Sequence, residues 1–412
     1  MTKPQHVKRP SGKMRALLIG LAAVIVAAGG AVAAVYALRS SGTSASAAGA
    51  AATGGSGSTS TTKVPVVVDP ADGATNVSLG SVVSVSADQG RLLSVSVMSP
   101  TGQPLAGTMD PSGQSWRSTG KLLPSASYTV TIDGTNAKGK PTHEVSHFDS
   151  QPPTAVLTAT IFPNNGLTVG VGQPIAIRFN HPVVNKTAML SLLHVTESTP
   201  VTGGWYWFND RELHFRPQAY WPSGEQVSLT ANLTNFDAGN GIWAMADNST
   251  KFTVGDAHIS TANVQSHTMT VTSNGATVAT YPLSAGQTKY PTMNGTHIDL
   301  GKQYDVEMRS DSGVGIPIHA PGGYDEHVFW DVQITDGGEY VHAAPWSTGS
   351  QGNSNVSHGC INLSVANATA FYNFSRVGDI IIVTGSPRPA STGDHGTMDW
   401  AVPFEKFTPA TA

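Results

Sequence analysis

The stretch Pro70–Val85, PADGATNVSLGSVVSV, and the stretch Pro163–Ile177, PNNGLTVGVGQPIAI, share one pattern of turns and apolar positions. Pro70, Gly73, Val77, Gly80, Val83 and Val85 recur as Pro163, Gly166, Val169, Gly172, Ile175 and Ile177, at an offset of about 92 residues. Each copy reads as a turn, a short strand, a second turn and an alternating strand. A period near ~100 residues suits an antiparallel β-sandwich repeated twice.

The strands that follow agree. Ser127-Tyr128-Thr129-Val130-Thr131-Ile132 and Gln226-Val227-Ser228-Leu229-Thr230-Ala231-Asn232-Leu233 alternate polar and apolar side chains, the pattern of a sheet with one wet face. Two immunoglobulin-like sandwiches are therefore expected, over residues 63–150 and 151–255, with Gln151-Pro152-Pro153 as a stiff joint. The aromatic cluster Trp205, Tyr206, Trp207, Phe208, Phe215, Tyr220 and Trp221 has two readings, a sugar platform or packing; packing is the commoner use and is expected here.

Composition supports a mainly β chain. Of 412 residues 12% are charged, 44 are Gly and 26 are Pro, as short strands joined by turns require. The formal net charge is -4, so no basic surface argues for nucleic-acid binding.

The N-terminus points to a compartment. Lys3, Lys8, Arg9, Lys13 and Arg15 precede Ala16–Leu38, a run of 23 residues without charge. A helix of that length is ~34 Å long, enough for a bilayer core of ~30 Å. The apolar run exceeds the ~7–15 residues of a signal peptide, so an uncleaved single-pass anchor is expected over residues 1–39. The basic flank stays cytoplasmic and the rest lies on the cell-wall side. Residues 40–62, rich in Ser, Gly, Ala and Thr, form a flexible linker.

The chemistry is expected in residues 256–387. Thr268–Thr272 and Thr277–Pro282 read as a hairpin around Asn274-Gly275. Tyr340–Ala344 reads as a strand end, Asp379–Thr384 as a buried strand, and Ser364–Phe374 as a short helix with Ser364 as N-cap. Between them stands Cys360, the one cysteine of the chain, so no intramolecular disulfide forms. A free cysteine is often a small buried hydrophobe. Yet His358 lies two residues before it and His342 ends a strand upstream. An imidazole can lower a thiol's pKa and carry its proton. From the spacing alone both readings stay open. A zinc site of His342, His358 and Cys360 is a weak third, for want of a fourth-ligand motif.

His342-Ala343-Ala344-Pro345-Trp346, followed by Ser357-His358-Gly359-Cys360-Ile361-Asn362, resembles the signature of YkuD-type L,D-transpeptidases. That signature is a His, a spacer of roughly fifteen residues and then [S/T]-H-G-C-x-N; here Ser357 stands 15 residues after His342. The plan of anchor, immunoglobulin-like domains and catalytic domain is similar to that of the mycobacterial and actinobacterial members.

The resemblance implies a β-rich catalytic domain with a short helix, no cofactor and no metal. It implies Cys360 as nucleophile and His342 as base and acid, oriented by the Ala343 carbonyl. His358 and Gly359 match the core of the motif. Tyr324 matches a lid tyrosine at the oxyanion site, Gly337 and Gly338 match backbone lining the donor, and Ser357 and Asn362 match substrate-side positions. Trp346 is expected to pack, and residues 388–412 to form a C-terminal packing segment. Val314 departs from the family, standing where relatives often carry a second lid tyrosine. The loop Asp311–Gly323 is Gly-rich and is expected to be more mobile than in relatives, which bears on lid closure and donor affinity. The implied substrates are peptidoglycan stem peptides, a tetrapeptide donor and an acceptor stem, joined 3→3, with carbapenems acylating the same thiol. The alternatives are an L,D-carboxypeptidase and a cell-wall-binding protein whose catalytic domain has decayed. His319, His327 and His395 are expected at the surface or in loops, and His297, after Asn294-Gly295-Thr296, in a turn with no chemical role.

Overall fold

In the computed structural model the described residues are 66–410. The anchor and linker expected over residues 1–62 lie outside them. Among the described residues no helix is long and apolar enough to cross a membrane.

The repeated stretches fold alike. Val66–Asp69 pairs antiparallel with Ser84–Ala87, and Ala159–Phe162 pairs antiparallel with Ile175–Phe179. Around the first pair two four-stranded sheets face each other across a core of Val85, Leu122, Tyr128, Val130 and Phe148. The strand Ser127–Thr135 alternates inward and outward along its length. In the second sandwich Ile175, Ile177, Trp205, Phe215, Trp221 and Phe252 are buried together. The central members of the aromatic cluster are therefore core, and each large side chain so buried contributes roughly 2–3 kcal/mol.

The remaining strands make two sheets around a third core. A five-stranded sheet runs in the order Ala276–Pro282, Thr268–Ser273, His258–Asn263, Ile380–Thr384, Gly295–Ile298. Its hairpin turns at Asn274 and Gly275, at φ 48° and 82°, values that favour these two residue types. A four-stranded sheet runs Gly301–Arg309, Asp325–Gln333, Tyr340–Ala343, Ile361–Leu363. Val332, Val341, Ile361, Leu363 and Ile381 fill the space between, closed by Ala368 and Phe371 of the helix Val365–Phe374. The Ser364 hydroxyl caps that helix, accepting from Asn367 N at 3.2 Å.

The second sandwich and the last domain meet backbone to backbone. Gly170 N donates to Val377 O at 2.8 Å and Gly172 N to Gly378 O at 2.9 Å. A Cβ on Gly170 would stand 2.1 Å from Asp379 N, so only glycine allows the approach. The C-terminal segment reinforces the joint. Thr408–Pro409 adds a strand to the second sandwich, and the Arg216 guanidinium lies 4.5 Å from the Trp400 ring centre and 4.6 Å from that of Phe407.

Candidate active site

Strand pairing places the two central residues. Tyr340–Ala343 and Ile361–Leu363 are parallel neighbours with His342 opposite Asn362. Side chains two apart on a strand share a face. Val341, Ala343, Ile361 and Leu363 enter the core, so Tyr340, His342, Cys360 and Asn362 take the other face. All four line one cavity of about 640 Å³. Tyr324, Gly337, Gly338, Ser357 and His358 line it as well. Gly359 lies in the turn beside Cys360.

The turn is fastened from several sides. Ser357 Oγ donates to Cys360 O at 2.6 Å and accepts from Gly359 N at 3.2 Å. Thr292 Oγ1 donates to Gly359 O at 2.7 Å. Gly359 has φ +137°, and a Cβ there would stand 3.0 Å from a carboxylate oxygen of Glu339. The glycine of the motif is thus required by both conformation and space.

The Cys360 sulfur lies 3.8 Å from Gly338 O in a half-buried position. Burial pushes the thiol up to about 12; a backbone hydrogen bond from Tyr340 opposes the rise, and Glu339 and Asp331 add to it. His342 is 3% exposed, and burial lowers its pKa to about 4. Its Nδ1 lies 2.9 Å from Ala343 O. A carbonyl only accepts, so Nδ1 carries the proton and Nε2 is the base. At this cavity burial favours a neutral thiol and a neutral imidazole. Both groups are desolvated, and desolvation disfavours both charges, against the pull of an imidazole towards a thiolate.

His358 sits between two phenol rings, Tyr290 at 5.0 Å and Tyr324 at 5.1 Å. Burial, with Lys289 nearby, lowers its pKa. Burial pushes the Tyr324 hydroxyl up to about 12, aided by Cys360 and Glu326, so at neutral pH it is a proton donor. Ser310 fixes the Tyr324 backbone, its Oγ accepting from Tyr324 N at 2.9 Å. Asn362 is 3% exposed and donates to Ser347 Oγ at 3.1 Å.

Several expectations need correction. Trp346 does not pack: it is 57% exposed at the cavity, its ring 6.1 Å from that of His342. His297 lies in a strand, wholly buried, its ring nitrogens 3.1 Å from Ile334 O and 2.8 Å from Met293 O. His395 does lie in a turn, and there it bridges Asp336 and Glu212 at 2.6 and 3.0 Å.

The segment read as packing also builds the site. Asp394 accepts from Gly337 N at 3.2 Å and from Asp336 N at 3.3 Å, and Arg388 lines the cavity. Two further acids escaped the sequence reading. Glu339 is buried beneath the Gly359 turn, and burial pushes it up to about 7 against the pull of Arg388. Asp331 is wholly buried, and neither carboxylate oxygen has a partner among the described residues. A bulge between Phe329 and Val332, with Trp330 at φ +61°, puts it there.

The sequence matches two family models: the L,D-transpeptidase catalytic domain, YkuD, over residues 257–383, and a bacterial Ig domain over residues 74–237. L,D-transpeptidase 2 of Mycobacterium tuberculosis is 35% identical over 341 residues, 83% of this chain and 83% of that protein. L,D-transpeptidase 5 of Mycobacterium tuberculosis is 32% identical over 83% of this chain and 76% of its own length. A solved L,D-transpeptidase from Mycobacterium smegmatis is 36% identical over 56% of this chain and 99% of that one, with a TM-score of 0.48. The fold is mainly β, with Ig-like and YkuD domains, and the protein is an enzyme of the L,D-transpeptidase class. The chain belongs to the L,D-transpeptidase family.

Proposed function

We propose that this enzyme cross-links peptidoglycan stems 3→3 through a Cys360 thioester. The observation that carries the reading is the placement of Cys360 and His342 on one face of two paired strands, at one cavity, with His342 Nε2 left as the base.

The sulfur attacks the carbonyl of the third residue of a tetrapeptide stem while Nε2 takes the thiol proton. The Cys360 amide and the Tyr324 hydroxyl donate to the developing oxyanion. His342 returns the proton to the amine of the departing D-alanine, and the acyl group stays on sulfur. An amine of a second stem then attacks the thioester. Its proton passes through Nε2 to the released sulfur, and the thiol is restored. Gly337 and Gly338 line the donor strand, His358 and Asn362 contact the stem, and Ser357 and Gly359 hold the turn. A carbapenem, whose strained carbonyl needs no departing amine, acylates the same sulfur.

Residues 1–39 anchor the chain and residues 40–62 tether it. The sandwiches 63–150 and 151–255 then hold the catalytic domain, 256–387, on the cell-wall side, with 388–412 packed against it. The test incubates the full-length chain with a disaccharide-tetrapeptide and resolves products by mass spectrometry. A 3→3 dimer absent from Cys360→Ala supports the reading. A tripeptide monomer alone makes the enzyme an L,D-carboxypeptidase. Failure to form either product, with no mass adduct after meropenem, overturns catalysis by this sulfur.

A further inference from the structure

Arg388 has no part in the steps above, yet its guanidinium is fixed at the wall that holds Cys360. Its backbone oxygen accepts from Asn294 N at 2.6 Å. Its Nη1 pairs with Glu339 and lies 3.5 Å from Pro291 O. Glu339 is itself held, accepting from Met293 N at 3.2 and 3.1 Å, and is 5% exposed. Both Arg388 contacts run from Nη1, whereas a guanidinium carries five N–H donors in a planar fork. The side chain remains 42% exposed on the cavity.

The other cation of the cavity wall is differently engaged. Arg309 donates to both Asp311 oxygens, at 3.2 and 2.9 Å, with Glu307 and Asp325 at 3.9 and 3.8 Å. Glu307, Glu326 and Asp336 also line the cavity and repel an anion. Of the two arginines that line the cavity, Arg388 is therefore the one placed to receive a carboxylate. In the donor of the proposed reaction, the anion nearest the scissile carbonyl is the terminal carboxylate of the departing residue, one residue or ~3.8 Å of backbone further on.

We propose that Arg388, aimed by the buried Glu339, binds the terminal carboxylate of the donor's departing D-alanine and so selects stems that end there. The inference rests on the transpeptidase reading. It assigns Arg388 to donor specificity and Glu339 to its positioning, and the geometry suits the two-pronged recognition at which arginine exceeds lysine.

The experiment compares two donors in the full-length enzyme with one acceptor amine: the disaccharide-tetrapeptide, and the same molecule ending in D-alaninamide. Wild type is expected to favour the acid in kcat/KM by about tenfold or more, the effect of one charge-assisted contact. In Arg388→Gln the acid-to-amide ratio falls to near one, and in Arg388→Lys it is intermediate. Glu339→Gln lowers the ratio part of the way. If Arg388→Gln slows both donors equally and the ratio persists, the arginine only fastens the turn and the inference is wrong. Equal use of both donors by wild type also overturns it. Arg388→Lys keeps a cation against Glu339, so it covers the case in which the glutamine variant does not fold. A wild-type enzyme that consumes neither donor removes the transpeptidase reading itself, a result distinct from a missing preference.

Discussion

His342 Nδ1 lies 2.9 Å from the carbonyl oxygen of Ala343, its own neighbour in the chain. That contact fixes the tautomer and leaves Nε2 as the base, with no carboxylate partner among the described residues to stabilise an imidazolium. Burial lowers the His342 pKa to about 4, so the base stays unprotonated well below 6.5. Acylation by a tetrapeptide or a carbapenem should therefore keep a flat kcat/KM from pH 8 down to about 5. It should fall only as the pH approaches 4. A fall centred near 6.5 in a stopped-flow pH series would mean that His342 is solvated or paired with an anion.

The thiol gives the complementary expectation. With Cys360 pushed up to about 12, iodoacetamide alkylation of the resting enzyme should be slower at pH 7 than for a free thiol. Its rate should rise about tenfold per pH unit from 7 to 10 with no plateau, because the thiolate fraction does. A plateau below pH 8 would show a standing thiolate. Cys360→Ala should lose the meropenem adduct and at least about 10³-fold of activity.

Gly359 joins conformation to chemistry. At φ +137°, with Glu339 3.0 Å from any Cβ, Gly359→Ala should cost about 1–3 kcal/mol and move the sulfur. Thermal melting reports the first and the meropenem acylation rate the second, which should fall by about tenfold or more. Wild-type acylation in a destabilised variant would separate the turn's conformation from the sulfur's position.

Asp331 makes the site sensitive to pH from below. Burial, with Asp305, pushes its carboxyl up to about 7, against ~3.9 in an unfolded chain. Between these values the unfolded state has lost a proton that the folded state keeps, so stability declines as pH rises and levels off above 7. Asp331→Asn removes the decline. Its melting temperature relative to wild type should climb from pH 4 to 7 and then stay constant. It also removes one of the charges that raise Cys360, so alkylation at pH 8 should quicken. An equal offset at every pH would sink this account.

The parts legible in the sequence are those whose cause is local. Asn274-Gly275 names its own turn, Ser364 caps the helix it precedes, and the repeat at 70 and 163 folds twice into the same antiparallel pair. Ser357 to Cys360 is one turn, so its four residues are read together. Glu339 and Arg388 are 49 residues apart and meet only because the chain after the last strand returns beside the turn. Neither residue type says so in advance. The charge state of Cys360 and His342 is not legible for the same reason: a motif predicts a partner, whereas burial is set by both sheets together.

The C-terminal segment gives the last expectation. His214 Nδ1 lies 2.9 Å from Asp399 and Nε2 3.3 Å from Glu212, tying the second sandwich to the helix Met398–Ala401. Burial alone would lower His214; Asp399 and then Glu212 outweigh it and hold it up to about 9. A raised histidine contributes stability that is complete below its unfolded value near 6.5 and is lost as pH rises through 9. The docking of the segment should thus weaken between those limits, by on the order of a few kcal/mol. Hydrogen exchange at Met398–Ala401 should quicken over that range in wild type and be uniformly fast in His214→Gln. Asp394, on the same segment, holds the Gly337 amide at the cavity. Exchange that is insensitive to pH in wild type would show that the pair carries no charge across this range, and the link from sandwich to active site would have to run through the Gly170 and Gly172 backbone instead.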